Sequence, residues 1–239
     1  MILIDGDIIA YRCAASCEAE DKQEDLPDTI DGMVEDILSR CHTLLNGGKF
    51  RAFLTGSTNF RYEIATIAPY KGNRPKEKPL LLGEARDYLI SHYDASVSDN
   101  QEADDDISIA ATQLNHNCTI ASIDKDFMQI PCWHYNWNNG QLFQQSELHA
   151  RCFFYHQLLM GDAADNIKGV KGIGSVKATN ILGSLTDEQD LYDTALTTYG
   201  GDKEALLENA RLLWLRRHEG QMWLPPQERE EPHGQEVEG

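Results

Sequence analysis

Nine carboxylates in four short clusters hold the chemistry this chain could do: Asp5 and Asp7; Glu102, Asp104 and Asp105; Asp124 and Asp126; Asp162 and Asp165. In MILIDGD, TIASIDKD and HQLLMGDAAD the acids follow short apolar runs, where a strand or helix would end. In QEADDDISIAA they stand where a helix would begin. Acids at element ends can converge from distant parts of a chain, and so many like charges share one spot only if divalent cations neutralise them. Oxygen-only donors suit Mg²⁺ or Mn²⁺, and paired ions of this kind hydrolyse phosphodiesters. Each cluster also has a plainer reading. Asp5 and Asp7 would face one side of a strand extended through Gly6, yet Asp7 would serve equally as the N-cap of a helix beginning at Ile8. A helix dipole stabilises one or two acids at the start of 102–106, whereas four in five residues repel one another; Asp106 fits an ordinary solvated residue. The Asp-x-Asp of 124 and 126 is weakly specific alone.

A second constellation follows the last acids. Lys168-Gly169-Val170-Lys171-Gly172-Ile173-Gly174-Ser175 lies between two helical stretches, about 147–160 and 175–182. Its glycines let backbone N–H groups approach phosphate, and a helix N-terminus adds a favourable dipole. Lys168, Lys171 and Lys177 add charge, so the hairpin is expected to grip nucleic-acid backbone without reading sequence. No strand precedes it and no Gly-Lys-Ser/Thr loop appears, which argues against a nucleotide-binding loop. Residues 56–79 form a basic loop with Arg61, Tyr70, Lys71, Arg74, Lys76 and Lys78, of which Arg61 and Tyr70 are expected to contact DNA. A lysine and an arginine beside a two-metal centre would stabilise charge on a scissile phosphate, although in isolation the segment reads as a solvated loop.

The net charge of −18 looks wrong for a partner made of phosphate. Its distribution answers the objection: setting aside −8 in residues 18–36, −4 in 227–239 and the nine cluster carboxylates leaves +3. Residues 18–28 and the tail read as solvated or disordered charge runs. A hydrophobic content of 41% supports a proper core. No apolar run approaches a membrane span and no signal segment opens the chain, so a cytoplasmic, monomeric protein without membrane contact is expected. The six cysteines, Cys13, Cys17, Cys41, Cys118, Cys132 and Cys152, have no zinc-like spacing and read as buried free thiols.

Positioning these groups requires buried strands near 1–4, 50–54, 118–123 and 133–137. Helices are expected at about 8–17, 30–45 (ended by Asn46-Gly47-Gly48), 80–92 and 104–114. The alternation predicts a parallel α/β sheet with its site at the strands' carboxyl ends. From Glu147 the pattern is almost wholly helical, dividing the chain into 1–146, 147–224 and an acidic tail 225–239.

Taken in order, LIDGDIIAYR, YKGNRP, EADDDISIAA, SIDKDF and GDAADNIKGVKGIGSVKA resemble the 5′→3′ exonuclease/flap endonuclease family, most closely its phage-encoded members, across about residues 1–220. The resemblance implies a PIN-like parallel sheet flanked by helices, a C-terminal helix-hairpin-helix subdomain and two divalent ions, Mg²⁺ or Mn²⁺. Asp5, Glu102, Asp104 and Asp105 would serve the first ion, and Asp124, Asp126, Asp162 and Asp165 the second. Lys71 and Arg74 match the family's catalytic pair at the base of its helical arch. Gly169, Gly172 and Gly174 match the hairpin that holds duplex DNA and, in relatives, a potassium ion. The implied substrate is DNA with a 5′ end or flap, or an RNA primer in an RNA–DNA hybrid, in replication or recombination; if phage-encoded, the chain works in the cytoplasm of a bacterial host. In one departure, Gly56 stands where the family has an aspartate after the second strand. Asp7 is expected to take over that function, and Gly56→Asp to rescue its loss. The arch between Lys71 and Glu102 is short. A junction-binding protein without catalysis is the alternative reading; a PIN-type ribonuclease toxin fits the long chain and the hairpin less well.

Overall fold

The computed structural model describes residues 1–45, 48–75 and 77–229. Lys76, the Asn46-Gly47 helix stop and most of the acidic tail lie outside the described residues. Strand β1 (Ile2–Asp5) is the centre of a six-stranded sheet. The strands β2 (Phe50–Leu54), β3 (Ser96–Val97), β4 (Thr119–Ala121), β5 (Trp133–Asn136) and β6 (Gln141–Gln144) order it as β3-β2-β1-β4-β5-β6. All neighbours run parallel except β5 and β6, and Ile2 pairs with both Phe50 and Thr119. Since β1 is followed in space by β2 on one side and β4 on the other, a crevice opens at its carboxyl end, where sites form in such sheets.

Strand alternation builds a core on each face. Ile2, Ile4, Ala52, Leu54 and Ala121 pack against α1 (Gly6–Ala19), α2 (Leu26–Leu45) and α4 (Leu82–Tyr93). Leu3, Phe53 and Ile120 pack against Ala103, Ile107 and Ala110 of α5 (Ala103–Gln113). A short helix α3 (Arg61–Ile64) lies between β2 and α4. The helical half comprises α6 (Glu147–Met160), α7 (Ser175–Leu182), α8 (Glu188–Thr198) and α9 (Lys203–Leu213), around Phe154, Leu158, Leu191, Leu206 and Trp223. Two-residue strands β7 (Gly161–Asp162) and β8 (Ile167–Lys168) pair antiparallel between α6 and α7. No helix among the described residues is long and apolar enough to cross a membrane. All six cysteines are free, and all but Cys152 are buried.

Several expectations need correction. Residues 18–28 are not an unstructured charge run: α1 extends to Ala19, Gln23–Asp25 form a 3₁₀ turn, and α2 begins at Leu26, which is buried. The acids point outward while the apolar positions Leu26, Ile30 and Val34 join the core that α2 shares with α1 and α4, a periodicity that wins over composition. Among the described residues between Lys71 and Glu102, α4 does not stand free as an arch, because it buries Ala85 and Leu89 against the core beside α1. Strands β3 and β6 have no strong sequence signal, being two residues long and polar, respectively.

Candidate active site

The acids gather at the carboxyl ends of β1 and β4 and at the N-terminus of α5. Asp5 ends β1, is buried, and caps α1 with its carboxylate accepting from the Ile8 amide; Ser122, just past β4, donates to its other oxygen at 2.9 Å. Burial, then Asp7 and Asp124, push the Asp5 carboxyl up to about 7. Asp104, in the first turn of α5, is raised well above the usual range by burial and by Asp5, Asp124 and Glu102. The charges that act on Asp5 and Asp104 place these two with Asp124 and Glu102 in one electrostatic neighbourhood.

A second group adjoins it. Asp124 caps a 3₁₀ turn and accepts from the Asp126 amide at 2.8 Å. Lys125 bridges Asp126 and Asp162, at 2.7 and 2.5 Å, and Gln157 donates to both acids. Burial and Asp124 raise Asp126 to about 6. Burial acts the same way on Asp162, but Lys125 and two backbone amides outweigh it and hold its carboxyl low. Asp165 leans towards Glu102, not towards Asp126: the Tyr70 hydroxyl lies 2.9 Å from Glu102 and 2.8 Å from Asp165, its one hydrogen serving either carboxylate. Lys71 Nζ bonds Glu102, and Arg74 bonds Asp165. Lys71 sits in the left-handed region at φ 54°, fixed by its amide donating to the Asp165 carbonyl at 2.9 Å, and strain of this sort is kept where the surroundings over-determine it.

Four of the expected site residues have other work. Arg61 is buried, 1% exposed, and cannot reach a polyanion. Its guanidinium forks onto both oxygens of Asp105, at 2.5 and 2.9 Å, and onto the Leu212 and Trp214 carbonyls. Asp105 therefore spends its carboxylate on Arg61 and the α5 capping box instead of an ion; burial would raise it, but Arg61 holds it low. Tyr70 is buried between Glu102 and Asp165, so it orients acids where an approach to DNA was expected. Asp7 is neither free for an ion nor the helix cap, because its oxygens accept from Arg86 of α4 and from the Thr55 amide at 2.9 Å. Arg86 also donates to the Thr55 carbonyl, while Thr55 Oγ accepts from the Ala103 amide. Gly56 has no room for the acid the family carries: a Cβ there would stand 2.0 Å from the Ser98 carbonyl oxygen. Ser122, Gln157, Thr55 and Arg86 gave no signal in sequence, since each acts on an acid far from it along the chain.

As they stand, no three acid, histidine or cysteine side chains among the described residues are close enough to enclose an ion. Lys71, Arg74 and Lys125 hold Glu102, Asp165, Asp126 and Asp162 in ion pairs, whereas Asp5, Asp104 and Asp124 have none among the described residues. Buried, mutually repelling carboxylates with oxygen-only donors fit hard divalent cations.

The hairpin adjoins the acids through one loop, residues 163–166, that joins Asp162 to β8. Gly161 and Gly169 cross so closely that a Cβ on Gly169 would lie 2.3 Å from the Met160 carbonyl carbon. Lys168, Lys171, Gly172, Gly174, Ser175 and Lys177 are exposed on one stretch, with Lys177 Nζ donating to the Gly172 carbonyl at 2.9 Å. Gly172 takes φ 79°, a left-handed turn that favours glycine.

No protein-family model matches the chain. The flap endonuclease Xni of Shewanella halifaxensis is 28% identical over 212 residues, covering 81% of each protein. DNA polymerase I of Lactococcus lactis subsp. cremoris is 26% identical over 230 residues, 82% of this chain but 25% of the polymerase, so the chain spans about a quarter of that relative. Among solved structures, the 5′-exonuclease of phage T5 with bound zinc superposes with a TM-score of 0.69 at 17% identity, covering 89% of this chain and 88% of that one. A variant of a phage T5 flap endonuclease, solved with DNA and metal ions, shares the fold. The chain is thus similar in sequence to flap endonucleases and to part of DNA polymerase I, and in fold to a phage 5′-exonuclease.

Proposed function

We propose that this protein is a divalent-metal-dependent 5′ nuclease that hydrolyses phosphodiester bonds of DNA carrying a 5′ end or flap. The observation that carries the reading is the convergence of buried Asp5 with half-buried Asp104 and Asp124, all without ion-pair partners among the described residues, beside Lys71 and Arg74. Ions bound there would supply an activated water and neutralise the charge building on the phosphate. The chain's own residues set the stage. Ser122 orients Asp5 and the Asp124 amide, Gln157 holds Asp126 against Asp162, and Tyr70 spaces Glu102 from Asp165. Lys71 and Arg74 carry positive charge at the mouth of the acid cluster, where they would meet the scissile phosphate. The exposed hairpin lysines would hold the duplex backbone. One of these relatives is a flap endonuclease by name, and a phage neighbour was solved with DNA and metal ions.

Finer points belong to the same reading. The ions are Mg²⁺ or Mn²⁺, two of them, by the oxygen-only donor set. K⁺ is proposed at the hairpin carbonyls, and RNA primers in hybrids as a second substrate. The protein acts as a monomer in the cytoplasm. The test is a panel of 5′-labelled duplex, flap and RNA-primed substrates with Mg²⁺ and with EDTA. Release of short 5′ products with Mg²⁺ alone is expected. Tight flap binding with no cleavage in Mg²⁺ or Mn²⁺ would select the junction-binding reading instead.

A further inference from the structure

Lys125 has no part in the chemistry proposed above, yet its ammonium lies between two acids of the second group, 2.7 Å from Asp126 and 2.5 Å from Asp162. The acceptor capacity of Asp162 is fully used. Its Oδ1 accepts from the Ala164 and Asp165 amides at 2.7 and 3.3 Å, and its Oδ2 accepts from Lys125 and, at 3.3 Å, from Gln157. A carboxylate has about four lone-pair sites, so nothing further binds Asp162 unless one of these donors leaves. The donors differ in their freedom to do so. The two amides belong to the backbone of the 163–166 loop, and Gln157 is 1% exposed in α6. The Lys125 side chain is 53% exposed, against 5% for Asp162 and 20% for Asp126. Lys125 is therefore the donor that can swing into solvent, on a flexible four-carbon stem. Asp5, Asp104 and Asp124 carry no cationic tie of this kind among the described residues.

We propose that Lys125 is a resident counter-ion that a divalent cation must displace to reach Asp126 and Asp162, so that ions load in order, first at the Asp5 group and then here. Ammonium and ion are alternative partners of the same oxygens. Only the fraction of molecules with Lys125 swung away is competent to take the ion, and apparent affinity falls by that fraction. The inference rests on the nuclease reading above and names a residue that regulates its ion loading. A merely structural tie would act with the opposite sign, because its removal would let the two acids part and would weaken ion binding.

The test is Mn²⁺ binding to the full chain without DNA, followed by isothermal titration calorimetry and by the electron paramagnetic resonance signal of free Mn²⁺. Wild type should show two sites of unequal affinity. Lys125→Met keeps the aliphatic stem and removes the charge. It should tighten the weaker site about 2- to 30-fold, the worth of two partly exposed ion pairs, and leave the tighter site nearly unchanged. Lys125→Arg should keep the weaker site as in wild type. In an Asp162→Asn background Lys125→Met should gain much less, as expected of partners in one interaction. Without divalent ions Lys125→Met should lower Tm, and Mg²⁺ should then raise Tm by more than in wild type. If Lys125→Met fails to fold by circular dichroism, Lys125→Gln serves in its place with the same expected gain. If wild type binds Mn²⁺ but the weaker site is unchanged, loosened or missing in the neutral variant, this inference alone is overturned. If wild type binds no Mn²⁺, the nuclease reading falls with it.

Discussion

Arg61 and Asp105 pair in the interior, so removing one leaves the opposite charge buried without its counter-ion. Arg61→Ala should cost on the order of 3–5 kcal/mol of stability, read as a large fall in Tm. A variant with unchanged Tm and weakened DNA affinity would return Arg61 to the DNA interface. Lys71 makes the opposite case. It is partly accessible and sits between Glu102 and the mouth of the site, so Lys71→Ala should lower the single-turnover rate by about 10²–10³ while affinity changes less. An unchanged rate would make Lys71 a structural tie for Glu102. Residue types were legible in the sequence: acids at element ends, lysine and arginine three apart in YKGNR. Partnerships were not. Arg61 and Tyr70 read as surface groups because their loop is polar, and only the fold brings Asp105, 44 residues on, and Glu102, 32 residues on, against them.

At the scale of elements, Gly56 is where two strand ends meet. The expectation that Gly56→Asp restores a missing ligand fails on the Ser98 carbonyl, which any Cβ would strike. The substitution should instead destabilise the β2–β3 edge and lower activity, measured by thermal denaturation beside cleavage; a stable, more active variant would contradict this. Arg86, Asp7 and Thr55 tie α4, α1 and the end of β2 at this corner. The hairpin gives an independent prediction. Replacing both Lys171 and Lys177 by alanine should weaken binding to all sequences alike, reducing the log–log salt slope by about 0.9 for each phosphate that a lysine no longer neutralises. An unaltered slope would remove the hairpin from the DNA interface. The long periodic helices and the apolar strands were readable from sequence, as were the ends of α6 and α7 around the glycine hairpin. The first turn of α2 was not, because acidic residues on its outer face masked Leu26, and β3 and β6 depend on pairing with neighbours more than on their own residues.

Over the whole molecule, the acid cluster should make stability depend on pH and on divalent ions together. Asp5, raised to about 7, and Asp126, raised to about 6, bind protons more tightly when folded than when unfolded. The folded state thus holds more protons between roughly pH 4 and 7, and stability should fall as pH rises through that window without divalent ions. Adding Mg²⁺ should raise Tm, and more at pH 8 than at pH 5, since the ion competes with those protons. A Mg²⁺ response larger at pH 5 would contradict the assignment. The central claim is that these acids gather ions for cleavage while the DNA is held elsewhere. Its most direct test is single-turnover cleavage of a 5′-flap substrate across a Mg²⁺ titration, for wild type, Asp124→Asn and Asp126→Asn, with affinity measured in EDTA. The account predicts Mg²⁺-dependent cleavage by wild type, none by either variant, and nearly equal binding by all three. Cleavage in EDTA, or wild-type rates in the variants, would contradict it.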